Sequence, residues 1–184
     1  EAKKKASKFD LQVDWVEQDG TKLNLNIKSN LLYSVGNSFQ HFLTNEAQDG
    51  LLSSVNKHLE VDGVFILYPR FLRVEALLQP PTEEYWRSYT DSETRNKVDL
   101  FTISHYDSLN QIQHYTTIRK YHNADGEIIN EKRTNIRLRY VFPKEMERIL
   151  SLHGFELLHL YSDWKETPIA NQSYEMICVC RKIR

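Results

Sequence analysis

Two short apolar runs, each ending in polar residues suited to a binding site, constrain this chain more than anything else in it. Leu31-Leu32-Tyr33-Ser34-Val35 stops at Gly36-Asn37-Ser38 and gives way to Phe39-Gln40-His41. Gly63-Val64-Phe65-Ile66-Leu67-Tyr68 ends at Pro69-Arg70. Both runs have the length of a buried strand. Between them, Thr44-Asn45-Glu46 starts a helix whose apolar face is Leu51, Leu52, Val55 and Leu59, at spacings of three and four, and Asp62-Gly63 stops it. Strand, helix and strand read as a βαβ unit. Ligands of open α/β sheets bind just past the carboxyl ends of such strands. Gly36, Asn37, Ser38 and His41 sit at one such end, and Arg70 at the next.

The flanking segments extend this plan. Residues 1–9 read as a short Lys-rich helix, residues 11–18 as a strand with imperfect alternation, and residues 20–30 as a loop. A short helix is expected over 72–79, broken by Pro80-Pro81, and another turn of helix over 83–89. Residues 98–104, 111–121 and 127–141 are rich in β-branched and aromatic residues. Asp107-Ser108-Leu109-Asn110 and Asn123-Ala124-Asp125-Gly126 supply turns between them. This predicts an antiparallel meander, solvated on one side. Pro143 opens a helix that Gly154 caps, and residues 155–161 and 173–180 form a closing antiparallel pair. The predicted fold class is α/β with an inserted antiparallel meander. Residues 1–72 and 143–184 form the core, and 73–142 form a helical and β insertion acting as a lid.

Composition narrows the function classes. With 24 basic against 25 acidic residues in 184, the chain has no charge excess that would point to nucleic acid or a membrane surface. No apolar run approaches the roughly 18–20 residues that span a bilayer. Cys178 and Cys180, neighbours on one predicted strand, read as buried free thiols in a reducing compartment, and the expected location is the cytoplasm. The seven histidines show no paired metal-ligand spacing, so no metal is expected. No nucleophile motif of the Gly-x-Ser-x-Gly or Cys/His kind occurs.

Val35-Gly36-Asn37-Ser38-Phe39-Gln40-His41 resembles the end of the fourth strand in class I S-adenosylmethionine-dependent methyltransferases, in particular the glycine N-methyltransferase-like branch with its Gly-Asn-Ser-Phe-x-His motif. Further segments resemble the family in order. Trp15-Val16-Glu17-Gln18-Asp19 is similar to the third strand, residues 55–66 to the next helix and fifth strand, and Arg137–Tyr140, the Pro143 helix and 175–180 to the closing segments. The resemblance implies a Rossmann-like fold of strand order 3-2-1-4-5-7-6 and S-adenosylmethionine as cofactor. The family's glycine-rich loop is absent, since none of the six glycines forms a Gly-x-Gly. The chain has no initial Met, and its first residues resemble the helix after the second strand. A fragment lacking about one βαβ unit is therefore expected. Such a fragment exposes strand edges, and a homodimer through them, or one swapping its N-terminal segment, is expected.

The resemblance assigns Asp19, Gly20, Val35, Gly36, Asn37 and His41 to the cofactor, with Asp19 accepting from the adenine amino group. It assigns Arg70 and Tyr140 to the substrate, Arg70 as a fork for a carboxylate. Each has a plainer alternative: a turn aspartate, a strand-to-helix turn, a surface histidine, a surface ion pair at Arg70, and packing at Tyr140. Tyr68 stands where the family has an acid. The catalytic residue is not specified. The expected function is methyl transfer to a small-molecule acceptor, and the alternative is a non-catalytic α/β binding or interaction module.

Overall fold

The computed structural model describes residues 2–77 and 80–184. In chain order the elements are α1 (Ala2–Lys8), β1 (Ser29–Ser34), α2 (Asn45–His58), β2 (Leu59–Leu67), α3 (Val74–Leu77), β3 (Glu84–Thr90), β4 (Lys97–Asp107), β5 (Ile112–His122), β6 (Ile128–Arg139), α4 (Pro143–Leu152), β7 (Phe155–Tyr161) and β8 (Ile177–Lys182). Single 3-10 turns occupy Gly20–Lys22 and Ser38–His41.

The βαβ unit forms as the apolar runs require. β1 lies parallel to β2, with Leu32 opposite Phe65. β8 pairs antiparallel with β2 and β7 with β8, giving the order β1-β2-β8-β7. Because partners in a ladder share a face, Leu32, Phe65, Cys180 and Leu157 form one row. That face packs on Leu52 and Val55 of α2 and on Met146 and Leu150 of α4. Phe65 and Phe155 meet with ring centroids 5.7 Å apart. Cys178 and Cys180 are buried free thiols in this core, and burial alone pushes Cys178 up to about 12. The opposite face is bare at its β1 end, where Leu31 is 51% and Tyr33 67% exposed. β3-β4-β5-β6 form a separate antiparallel sheet, the meander. It joins the core through a cluster of Leu72, Leu138 and Tyr140, flanked by Tyr106 and Tyr115.

Helix α2 is held at both ends and along one side. Thr44 Oγ1 accepts from the Ala47 N–H at 3.2 Å, an N-cap. The buried Lys182 ammonium donates to Asn56 O (2.7 Å), which also accepts the Leu59 N–H, and to Leu59 O (2.9 Å), tying the helix end to β8. Residues 20–25, predicted as loop, run along the helix. His58 Nδ1–H donates to Ser54 O at 2.7 Å, so Nε2 accepts the Leu25 N–H at 3.0 Å. Ser54 Oγ accepts from the Leu23 N–H at 3.2 Å. A Cβ at Gly50 would stand 2.9 Å from Thr21 Cβ, which explains a glycine inside a helix where it otherwise costs stability.

Several local expectations are corrected. Residues 11–18 form no strand and are exposed, with Val16 at 60%. A strand exists only through its ladder, and among the described residues none lies alongside this segment. Residues 83–89 are not helical: Glu84–Thr90 is β3, because Tyr85, Trp86 and Tyr89 favour a pleated strand and β4 offers a free edge. The helix expected over 72–79 covers Val74–Leu77, and Leu78, Gln79 and Glu1 lie outside the described residues. α2 ends at His58 and β2 begins at Leu59, ahead of the predicted Asp62-Gly63 stop. β8 begins at Ile177, after a single bridge between Arg70 and Glu175. Among the described residues no helix is long and apolar enough to cross a membrane.

Gly50→Ala should push residues 20–25 off α2. The expected cost is about 1–3 kcal/mol, the range for overpacking, with faster amide exchange at Leu23 and Leu25. Urea unfolding and hydrogen exchange check both.

Candidate functional site

The carboxyl ends of β1 and β2 meet in one crest, built by local sequence. Gly36 and Asn37 both adopt left-handed backbone, at φ 67° and 64°, and turn the chain back after β1. Glycine and asparagine are the residues that tolerate this region. Beyond Gly36 and its two chain neighbours, no heavy atom lies within 4 Å of where a Cβ at Gly36 would stand, so the backbone there faces open space. The Asn37 N–H donates to Tyr68 O at 3.2 Å, joining the two strand ends. Ser38 Oγ donates to Val35 O at 2.7 Å. Val35 and His41 are exposed beside this turn, whereas Phe39 is buried in the core.

A residue that the motif contains, but that sequence reasoning left unassigned, ties the crest together. Gln40 is fully buried. Its Oε1 accepts from the Arg70 N–H at 3.1 Å and its Nε2 donates to Arg70 O at 3.4 Å. One amide thus satisfies both backbone groups of Arg70. The Arg70 position is also bridged to Glu175, with Phe71 N–H to Tyr174 O at 2.9 Å and Met176 N–H to Pro69 O at 3.0 Å.

Arg70 lines a cleft of about 460 Å³ with Arg73, Glu75, Tyr115, Tyr140, Tyr174 and Glu175. A larger concavity of about 650 Å³ lies along β7 and α4, away from the strand ends. Tyr140 is 3% exposed and its hydroxyl sits 3.2 Å from that of Tyr115. Burial foremost, then the Tyr115 hydroxyl, push the Tyr140 phenol well above its usual value, while the neighbouring Arg70 guanidinium opposes the shift. Burial, then the Glu175 carboxylate, push Tyr68 up to about 12. Arg73 lies 4.1 Å over the Tyr174 ring and pairs with Glu75 at 3.1 Å. Among the described residues Arg70 makes no ion pair within 4 Å, so its charge is available to the cleft.

Asp19 and Gly20 lie on the other flank. Asp19 caps the first 3-10 turn, accepting from Thr21 N–H (2.9 Å) and Thr21 Oγ1 (2.8 Å), and the backbone bond foremost holds its carboxyl below the usual range. Gly20 packs against Phe42, whose Cζ would stand 3.2 Å from an added Cβ. The structure therefore brings Gly20 beside the 36–42 turn and Arg70 beside Tyr140.

Three solved structures share this architecture. An S-adenosylmethionine-dependent methyltransferase from Clostridium acetobutylicum ATCC 824 matches with a TM-score of 0.77 at 17% identity, covering 98% of this chain and 69% of its own. A methyltransferase from Streptomyces caelestis matches at 0.71 and 19%, covering 90% and 62%. An amino pentose methyltransferase from Micromonospora echinaspora, solved with S-adenosylmethionine bound, matches at 0.65 and 13%, covering 90% and 63%. The fold is the one these methyltransferases share. The chain spans only part of their length, 62% to 69%. No family model and no curated protein matches it. Within the methyltransferase fold, β1-β2-β8-β7 corresponds to the 4-5-7-6 portion of the expected strand order.

Two residues of the cleft, Tyr115 and Glu175, were not legible beforehand. Tyr115 belongs to the meander and Glu175 to the approach to β8, and only folding brings them to Arg70. Difference titration of Tyr68→Phe should show one phenol ionising near 12 instead of 10.0, and Glu175→Gln should lower that value part-way. The folded phenol is harder to ionise than the unfolded one. Its contribution to stability is therefore complete below pH 10.0 and lost as pH rises towards about 12, a decline that Tyr68→Phe removes.

Proposed function

We propose that the protein is an S-adenosylmethionine-dependent methyltransferase acting on a small-molecule acceptor. The observation that carries this reading is the crest itself: an open, left-handed Gly36-Asn37 turn beside an arginine- and tyrosine-lined cleft, at the strand ends of a fold shared with such enzymes. The residues fit the cofactor in part. Asp19, Gly20, Val35, Gly36, Asn37 and His41 would hold it, Gly36 by allowing close backbone approach. Nothing in the chain replaces a glycine-rich loop. When bound, the cofactor supplies a methyl group on a positively charged sulfur with a neutral leaving group.

The protein's own work is then positioning and exclusion of water. The Arg70 fork orients an anionic group of the acceptor, fixed at its backbone by Gln40. Tyr140 and Tyr115 close the cleft wall with paired hydroxyls. The helical and antiparallel β insertion of residues 73–142, which contains the meander, acts as the lid in this reading. No side chain need become covalently attached, which accords with the absence of a nucleophile motif. The free edge and bare face of β1, with Leu31 and Tyr33 exposed, support association of two copies through that edge. A cytoplasmic location accords with the two buried thiols. The absent glycine-rich loop favours the rival reading, a binding module without catalysis, and titration with S-adenosylmethionine separates the two.

Isothermal titration of S-adenosylmethionine should show weak or no binding to the 184-residue chain and clear binding to a version extended at the N-terminus. A low-micromolar dissociation constant for the 184-residue chain would overturn the dependence on a missing loop. In the extended protein Asp19→Ala should weaken cofactor binding by about 1–3 kcal/mol. Arg70→Lys should impair acceptor turnover as Arg70→Ala does, because lysine lacks the planar fork. Unchanged turnover in Arg70→Ala would remove Arg70 from the site, and the absence of cofactor binding by the extended protein would remove the methyltransferase reading.

A further inference from the structure

No nucleophile motif occurs in the sequence, yet the fold brings a serine, a histidine and an aspartate into line where α2 meets α4. Asp49 and Ser53 stand four residues apart on α2 and so share one face of the helix. His153, which ends α4, lies across both. Its Nε2 is 2.9 Å from Asp49 Oδ1 and its Nδ1 is 3.3 Å from Ser53 Oγ. No other histidine among the described residues has a carboxylate on one ring nitrogen and a hydroxyl on the other.

The chemistry of this row follows from what each group can donate. A carboxylate only accepts, so in the neutral ring Nε2 carries the proton and Nδ1 turns its lone pair to the Ser53 hydroxyl. A serine within a helix commonly returns its hydroxyl to the carbonyl four residues back. That of Ser53 meets the imidazole instead. The backbone under the ring is held on both sides: the His153 N–H donates to Ile149 O at 3.2 Å, and His153 O accepts from Asn56 Nδ2 at 2.8 Å. Ser53 is exposed, so a solute can reach its hydroxyl. Beside it lies a cleft of about 290 Å³, lined by Ser53, Asn56, Leu152, His153, Gly154 and Arg184. Leu152, 74% exposed, gives this cleft an apolar wall. Gly154 adopts φ 78°, and a Cβ there would stand 2.7 Å from Arg184 O and 3.0 Å from Arg184 Cγ. The glycine therefore leaves room for Arg184, which brings a positive charge to the cleft.

We propose that Ser53 is the nucleophile of a second site, which hydrolyses small carboxylic esters with His153 as general base and Asp49 positioning the ring. Ser53 Oγ bonds to the ester carbonyl carbon as its proton passes to His153 Nδ1. The carbonyl electron pair moves onto oxygen, beside the Arg184 guanidinium. Asp49 faces the imidazolium so formed and balances its charge. When the pair returns, the carbon–alkoxy bond breaks and the alcohol leaves with the proton from Nδ1. Water then attacks the acyl-serine by the same route, which releases the carboxylic acid and restores Ser53. Ester and water are the only reactants. None of these residues lines the Arg70 cleft, so the site stands apart from the methyl-transfer reading.

An alkyl fluorophosphonate, which bonds permanently to an activated serine with loss of fluoride, tests the nucleophile, and p-nitrophenyl acetate tests turnover. Peptide mass spectrometry of the treated chain should find the phosphonyl group on Ser53. His153→Gln should slow that labelling at least about 100-fold, the lower end for loss of a general base. Asn in Asp49→Asn still accepts from Nε2 but carries no charge. Labelling should fall about tenfold in this variant, less than in an enclosed site because water screens an exposed carboxylate. A purely structural hydrogen bond would leave the rate unchanged. Ser53→Ala should abolish the saturable part of p-nitrophenol release with no loss of stability in urea. Ser53 and Asp49 are exposed, so neither substitution endangers the fold. An unlabelled Ser53, equal labelling in His153→Gln or Asp49→Asn, or p-nitrophenol release as fast in Ser53→Ala as in the parent chain would each overturn the proposal.

Discussion

The paired bonds between the Gln40 amide and the Arg70 backbone are the constraint on which the site geometry rests. Gln40 is fully buried, and a buried amide left without partners costs about 1–3 kcal/mol, so the chain cannot readily move residues 36–42 away from residues 68–73. The left-handed pair Gly36-Asn37 brings Gln40 to that position, and the Asn37 N–H to Tyr68 O bond sets the spacing. Arg70 is held again on its other side by the bridge to Glu175. An exposed guanidinium thus extends from a backbone position held on both sides. Fixed backbone with a free charged tip is the arrangement that lets an arginine orient a ligand without first losing much backbone entropy.

The core sheet shows a second constraint, which is its asymmetry. One face is packed by α2 and α4 around Phe65, Cys178 and Cys180, while the β1 end of the other exposes Leu31 and Tyr33. Parallel pairs such as β1 and β2 are ordinarily covered on both faces. The solved structures that share this fold are longer chains than this one. Residues 20–25 show how a segment without regular structure can still be ordered. They borrow acceptors from Ser54 and His58 of α2, and Gly50 gives them room.

Where local pattern and tertiary contact agree, the sequence was readable. The Leu31 and Gly63 runs, the helix between them, the Pro143 helix and the meander turns all appear at or near their expected positions, because each carries its own period and its own caps. Where a segment's state depended on a neighbour, the reading failed. Residues 11–18 carry apolar residues suited to a strand but meet no ladder, and residues 84–90 become a strand because β4 supplies one. The same holds at the site. Gly36, Asn37 and Arg70 were visible as strand-end residues from residue type and position, and Tyr140 only through the family resemblance. Gln40, Tyr115 and Glu175 were not, since a glutamine, a tyrosine and a glutamate carry no mark of what they will touch.

The sequence by itself determined the βαβ frame, the free buried thiols and the crest residues at the strand ends, because hydrophobic period and turn chemistry act over a few residues. The tertiary structure alone decided which polar groups face one another: Gln40 against Arg70, Tyr115 against Tyr140, and Arg139 against the start of α2. Those pairings join residues 25 to 94 positions apart. Hydrogen bonds are short-ranged and directional, so they exist only once the packed core has set the distances.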